Sequence, residues 1–272
     1  MSSVILAVLG HESTTLAVLE AARNLSVLLG EANMIALAVE QPSKTSALEA
    51  GTLIAEVAER VNARDRERQR IRAIEDLFNH WAAEARRDGS NVLWHGIAGS
   101  SRREVINRGR RADLIVIARP SPDDDSQIRA GFRAALLHTD RPVLVVPPGW
   151  SEPFGSNVAI AWRDDGRAVK TVIPALRFLS GASQVHVLAG VRGDAARLPV
   201  PRVFQDRGIA VSVHALPVKP RFGRILLEKA HSLRADLLVM GAYSRSRWRE
   251  IVFGGMTQFV LEHADLPVLM RH

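Results

Sequence analysis

The sequence contains the same pattern twice, and this internal repeat limits the fold more than any other feature. Residues 111–116 read RADLIV and residues 234–239 read RADLLV, while residues 138–144 read HTDRPVL and residues 263–269 read HADLPVL. Self-similarity of this kind is typical of two consecutive copies of one structural unit. The chain is therefore predicted to fold as a tandem of two related halves.

The upstream part of the repeat is spaced differently from the downstream part. The apolar run at residues 4–8 corresponds to the run at residues 158–162, and this separation is longer than that of the other two motifs. The first copy must therefore carry an extra segment, which we place at residues 41–88. Apolar residues recur there at helical spacing, which predicts one long helix or two broken helices packed across the sheet edge or against the other half. The alternative is a partner-binding helix.

Each copy alternates short apolar, β-branched runs with helical periodicity, which indicates βαβ units and parallel sheets. The runs are apolar throughout, as expected for strands covered on both faces. The predicted fold is α/β, with two doubly wound five-stranded parallel sheets in tandem. The predicted strands are residues 4–9, 34–39, 92–97, 113–118 and 142–146, followed by 157–162, 184–189, 210–215, 236–241 and 267–270.

The sequence between the two copies is rich in proline and glycine, which cannot continue the preceding strand. We therefore place a first domain at residues 1–148, a linker at residues 149–156 and a second domain at residues 157–272.

Composition excludes several classes of site and partner. The 272 residues include no cysteine, which excludes disulfides, iron–sulfur clusters and thiol nucleophiles. The net charge is +7, but arginines alternate with acidic residues, which is typical of a solvated face rather than of a nucleic-acid interface. The sequence lacks both an apolar run of about 18 residues and a basic leader. We expect a cytoplasmic protein that binds neither nucleic acid nor membrane.

The second copy has a glycine-containing loop after its fourth strand. In doubly wound sheets, ligands bind outside the carboxyl ends of the strands where the strand order reverses. Gly241 and Ser244 would let the backbone approach a ligand closely, and Gly254 with Gly255 opens a helix whose free N–H groups favour phosphate. Arg245 and Arg247 would neutralise the phosphate charge.

This loop resembles the signature of the universal stress protein family, Gly-x2-Gly-x9-Gly-Ser/Thr, with Gly241, Ser244, Gly254 and Gly255 at its four positions. The ending at residues 263–269 is also similar to that family. The resemblance implies sheets of strand order 3-2-1-4-5, dimeric packing through the last strands and, in one subclass, ATP held by the loop. Any Mg2+ would come only with the nucleotide.

Two departures from the family pattern concern the phosphate site. Ser244 replaces the second glycine, and Gly255 replaces the hydroxyl residue, for which Thr257 is the nearest substitute. The acidic residue that contacts ribose in nucleotide-binding members falls at Arg163, which leaves Asp164 or Asp165 as displaced candidates. The predicted nucleotide-contacting residues are Gly241, Ser244, Arg245, Arg247, Gly254, Gly255, Thr257, Arg163, Asp164 and Gly190.

The corresponding loop of the first copy is unsuited to phosphate. Residues 119–126 contain two prolines and three consecutive aspartates, with no glycine before Gly131. The prolines remove N–H donors and the carboxylates repel phosphate, so we expect no nucleotide there. The aspartates form either a solvated turn or a site for Mg2+ or Ca2+.

Two functions of different class agree with these patterns. The first is a non-enzymatic regulatory protein of the stress response that binds ATP or a related adenine nucleotide in its second half. The second is an interaction protein of the same fold that binds no nucleotide, in which the glycine loop is retained for packing. In that case the two halves of one chain would pair with each other, or two chains would form a homodimer. An ATP-dependent enzyme is a third reading, but the sequence offers no catalytic residues for it.

Overall fold

The chain alternates strands and helices, and its strands form one continuous sheet. The computed structural model describes residues 3–42, 54–163, 167–179, 181–191, 198–241 and 255–271. The first half contains β1 (Val4–Leu9), α1 (Glu12–Leu28), β2 (Asn33–Glu40), α2 (Ile54–Arg87), β3 (Val92–Ala98), α3 (Ser101–Gly109), β4 (Leu114–Ala118), α4 (Ser126–His138) and β5 (Val143–Val146). The second half contains β6 (Asn157–Trp162), α5 (Arg167–Leu179), β7 (Gln184–Val191), α6 (Arg202–Gln205), β8 (Ser212–Pro217), α7 (Phe222–Ser232), β9 (Leu237–Gly241), α8 (Gly255–His263) and β10 (Val268–Arg271).

The strands of the described residues lie in the order β3-β2-β1-β4-β5-β10-β9-β6-β7-β8. Within each half the strands are parallel and follow the order 3-2-1-4-5, so the prediction of two doubly wound five-stranded sheets is confirmed. The two sheets are joined, however, because β5 and β10 pair antiparallel with Leu144 opposite Leu269. This pairing satisfies backbone N–H and C=O groups that two separate sheet edges would expose.

The strands between the two edges of the sheet are largely buried on both faces, as their uninterrupted apolar runs predicted, whereas the edge strands β3 and β8 are partly exposed. On β1, Ile5, Ala7 and Leu9 belong to one core cluster, whereas Leu6 and Val8 belong to the other. Helices α1, α2 and α5 cover the first face, and α3, α4, α7 and α8 cover the second. Because side chains alternate between the faces of a strand, each strand must be apolar throughout to serve both cores.

The aspartate of each repeated RAD motif directly precedes the fourth strand of its half and binds backbone N–H groups at the start of the first strand. Asp113 Oδ2 accepts a hydrogen bond from the N–H of Val4 at 2.9 Å. Asp236 accepts three such bonds, from the N–H groups of Gly155 at 2.8 Å, Ser156 at 3.0 Å and Asn157 at 2.8 Å. The repeat in the sequence therefore marks an equivalent junction in both halves.

Within the described part of the inserted segment, residues 54–87 form one continuous helix, α2, of 34 residues. Its C-terminal part packs on α1, β2 and β3, so the helix lies on its own half of the sheet. Phe78 is buried, with its ring centroid 6.4 Å from that of Trp81 and 5.1 Å from that of Trp94. The side chains of residues 61–66 are exposed, so this turn and a half of the helix extends beyond the core.

The predicted strand boundaries are least accurate at β7 and β8. Strand β7 continues two residues past its predicted end at Ala189, because Gly190 and Val191 pair with Leu216 and Pro217 of β8. The prediction for β8 began at Ala210, two residues before the observed start. Glycine and proline normally interrupt strands, so the sequence offered no sign that this ladder continues. Among the described residues, no helix is both long and apolar enough to cross a bilayer.

Candidate functional site

The strand order of the second half reverses between β6 and β9, and the candidate site lies at the carboxyl ends of these two strands. The register pairs Ile160 with Val239, and its continuation places Trp162 beside Gly241, the last residue of β9. Helix α8 runs back across the sheet between the parallel strands β9 and β10, so its N-terminus lies at this same edge. The fold therefore brings Gly241 and Gly255 to one edge of the sheet, where ligands bind in doubly wound folds.

Helix α8 begins with a glycine. Gly255 is the first residue of the helix and is exposed, and a Cβ added there would meet no described atom within 4 Å. The first backbone N–H groups of a helix have no partner within the helix and carry the positive end of its dipole. Thr257 is buried, with 4% of its surface exposed, on the same face as Val260 and Leu261. Backbone N–H groups are therefore the donors that this helix offers to a phosphate.

Two other predicted residues lie at the same edge. Arg163 is exposed and directly follows β6. Gly190 is near the end of β7, where an added Cβ would lie 3.1 Å from Val218 Cγ2 and 3.2 Å from Phe222 Cζ. Packing against these two side chains is sufficient to explain this glycine. Ser244, Arg245, Arg247, Gly254 and Asp164 lie outside the described residues.

Helix α8 is held at its other end by the first half of the chain. Arg119, which follows β4, donates to the carbonyl oxygens of Leu261 at 3.3 Å and Ala264 at 2.6 Å. Burial lowers the pKa of Arg119, while the charge of Asp265 opposes that shift. A guanidinium at the last carbonyls of a helix stabilises the helix C-terminus. The sequence alone gave no sign of this contact, because Arg119 is far from α8 along the chain.

The first half has a corresponding cleft at the carboxyl ends of β1, β2 and β4. The space between its lining residues amounts to about 550 Å³, a volume that includes open solvent. Its walls combine apolar residues of the strands and of α4 with polar residues of the loops. Among the lining residues are Val8, Gly10, Thr14, Val39, Gln41, Arg70, Ser101, Ile117, Arg119, Asp124 and Phe132. One of them, Arg70, comes from the inserted helix.

Arg70 binds the backbone at the ends of two neighbouring strands. Its guanidinium donates to Gly10 O at 2.5 Å and to Val39 O at 2.9 Å. It also contacts both carboxylate oxygens of Glu67, at 2.8 and 2.7 Å. Glu67 in turn accepts a hydrogen bond from the N–H of Gln41 at 2.8 Å. Both side chains are largely buried, so this polar group closes part of the cleft.

The three consecutive aspartates organise the loop after β4. Asp124 accepts from the N–H of Ser121 at 2.7 Å, and Asp125 caps α4 by accepting from Gln127 and Ile128. Burial raises the pKa of Asp125, but these N–H groups, the amide of Gln41 and the charge of Arg70 outweigh burial and lower it. Within the described ranges, no group of three or more histidine, aspartate or glutamate side chains is arranged to hold a metal ion.

Residues 180–272 match the sequence model of the Universal stress protein family. Over this range the chain is similar to that family. The matched range contains β7 to β10 and the whole segment from Gly241 to Gly255, so the candidate phosphate loop lies within the match. Strand β6, with Arg163 after it, precedes the match but belongs to the same sheet.

Solved structures share the fold of the whole chain. A universal stress protein from Archaeoglobus fulgidus DSM 4304 superposes with a TM-score of 0.70 and 16% identity, over 100% of this chain and 98% of that one. A putative universal stress protein from Pseudomonas aeruginosa UCBPP-PA14 gives a TM-score of 0.63 and 15% identity, over 99% of this chain and 93% of its own. At these identities the similarity shows the fold alone. No curated protein sequence matches the chain.

Proposed function

We propose that the protein is a non-enzymatic regulator of the stress response that binds ATP or a related adenine nucleotide in its second half. The observation that carries the proposal is the glycine at the N-terminus of α8, which lies at the strand-order reversal of a sheet similar to universal stress proteins over residues 180–272. No described neighbour of Gly255 would clash with a side chain there, so packing does not explain the glycine. A glycine at the positive end of a helix does let a phosphate approach the backbone N–H groups closely.

The contrast between the halves supports a single nucleotide site. In the first half, Arg70 and Glu67 occupy the carboxyl edge of the sheet, and three aspartates follow β4. Carboxylates near the phosphate position oppose binding by Coulomb repulsion. In the second half, the connection after β7 contains only the single turn α6 among its described residues. The nucleotide is therefore assigned to the second half, with Mg2+ entering only as part of the nucleotide complex.

The experiment is a calorimetric titration of ATP, ADP and AMP into the full chain and into two variants of Gly255. Gly255→Asp places a carboxylate at the start of α8, where it stabilises the helix but repels phosphate. Gly255→Asn has nearly the same shape without the charge and serves as the matched control. A unit charge about 6 Å from a phosphate in a partly solvated site weakens binding by about tenfold or more.

The proposal predicts that Gly255→Asp binds nucleotide about tenfold or more weakly than Gly255→Asn, which by itself shows the effect of the added side chain. Equal affinity in both variants would place the nucleotide elsewhere. Absence of heat and of thermal stabilisation with all three nucleotides at millimolar concentration would favour the interaction protein that binds no nucleotide.

A further inference from the structure

The inserted helix α2 has a polar contact that its packing on the sheet does not require. Packing is achieved by apolar residues near its C-terminus, among them Ile74, Phe78 and Ala82, which are buried. Glu67 lies two turns and Arg70 one turn before Ile74, with 15% and 17% of their side chains exposed. The residues immediately before them, 61–66, are exposed. The pair thus directly follows an exposed stretch of α2, at the point where the helix meets the carboxyl edge of the sheet.

The partners of the pair are backbone groups at the carboxyl edge of the sheet. Arg70 donates to the carbonyls of Gly10, which follows β1, and of Val39, near the end of β2. Glu67 accepts from the N–H of Gln41, which follows β2. Backbone groups at the carboxyl ends of parallel strands are the ones that a ligand approaches in this class of fold. In the first half, Arg70 and Glu67 of the same chain already hydrogen-bond to these backbone groups.

The contact extends to the loop on the opposite side of the cleft. Gln41 Nε2 donates to Asp125 Oδ2 at 2.9 Å, and Asp125 caps α4. The positive charge of Arg70 is also one of the causes that lower the pKa of Asp125. Elements β1, β2, α2 and α4 therefore meet in one hydrogen-bonded network around the cleft.

From this geometry we infer that the Arg70–Glu67 pair is a built-in closure of the first-half cleft, which takes the place of a ligand and restricts ligand binding to the second half. The pair is electrically neutral as a whole, and each of its charges has a partner, so it closes the cleft without leaving a buried charge unpaired. The closure itself does not depend on which ligand the second half binds, whereas the restriction of binding to the second half rests on the proposed function.

The test uses the full chain with Arg70→Ala and, as matched control, Arg72→Ala on an exposed position of the same helix. The first readout is hydrogen–deuterium exchange at the amide of Gln41, which reports the bond to Glu67. The second is the fluorescence of anilinonaphthalene sulfonate, a dye that binds opened apolar clefts. Val8, Val39, Ile117 and Phe132 provide such a surface here.

We expect Arg70→Ala to accelerate exchange at Gln41 by about fivefold, the effect of losing roughly one hydrogen bond, because Glu67 loses the guanidinium that holds it at this N–H. Dye fluorescence should rise as well. Arg72→Ala should match the wild type in both readouts. Exchange in β10, which lies in the other half of the sheet, should not change. Arg70→Lys, which keeps the charge but loses the forked geometry, should fall between the two and replaces Arg70→Ala if that variant does not fold.

Two results would overturn the inference. One is an Arg70→Ala variant indistinguishable from Arg72→Ala at Gln41 and in dye binding. The other is faster exchange in β10 to the same extent as at Gln41, because the pair would then support general stability rather than close the cleft.

Discussion

The repeated aspartates provide a stability test that is internal to the chain. Asp236→Ala removes the acceptor of three backbone N–H groups, those of Gly155, Ser156 and Asn157. Asp113→Ala removes the equivalent residue of the first half, which accepts one such bond, from Val4. The two substitutions are chemically identical and occur in the same motif, so the difference between their effects reports the difference in hydrogen bonding and in exposure between the two sites.

The expected magnitudes follow from the hydrogen-bond count. One intramolecular hydrogen bond contributes about 1 kcal/mol net to the free energy of unfolding. Asp236→Ala should therefore lower that free energy by about 3 kcal/mol, since the three N–H groups lose their common partner. Asp113 is exposed and water can replace its single bond, so we expect a loss of about 1 kcal/mol or less.

The assay is urea unfolding followed by circular dichroism, with free energies from linear extrapolation. Asp206→Ala, at an exposed position after α6, is the surface control and should change the free energy of unfolding by about 0.5 kcal/mol or less. If Asp236→Ala and Asp113→Ala lowered the free energy of unfolding equally, the two extra hydrogen bonds of Asp236 would contribute nothing to stability, and the reasoning would be refuted. A loss in Asp206→Ala as large as in Asp236→Ala would refute it as well.

Two further predictions concern the insertion and pH. Phe78→Ala should destabilise the protein by about 3–5 kcal/mol because it empties a buried aromatic site, whereas Val61→Ala, on the exposed part of α2, should have little effect in the same urea assay. Burial, together with the charge of Lys229, lowers the pKa of both His186 and His214. In the unfolded chain both histidines have a pKa of about 6.5 and take up protons more readily than in the folded protein. Their contribution to the free energy of unfolding is therefore fully present above a pH of about 6.5 and is lost as the pH falls below that value. The melting temperature should drop between pH 7.5 and pH 5, and less so in His214→Gln; a drop of equal size in that variant would contradict the assignment.

The strands could be predicted from the sequence because their signal is local. A strand buried on both faces must be an uninterrupted apolar run, and β1 and β6 were predicted with the boundaries that the structure has. The order of the strands came from the resemblance to a family and not from periodicity. The junction of the two sheets through β5 and β10 depends on the relative placement of the halves, and neither strand differs in composition from the others.

The contacts at the cleft of the first half could not be predicted in this way. Arg70 is one of many arginines in a charge-rich segment, and its position at the carbonyls of Gly10 and Val39 depends on how α2 crosses the sheet. The contact of Arg119 with α8 likewise joins residues more than 140 positions apart. The run of aspartates did give a local signal, since proline, serine and aspartate are typical of turns and helix caps. In the structure it forms such a turn and cap.

The measurement that tests the account most directly is the stoichiometry of nucleotide binding to the full chain, determined by calorimetry with ATP in the presence of Mg2+. The account predicts one nucleotide per chain, lost or weakened in Gly255→Asp and retained in Arg72→Ala. Two nucleotides per chain would contradict the closure of the first-half cleft by Arg70 and Glu67, and no binding at millimolar ATP would contradict the assignment of the second half as the nucleotide site.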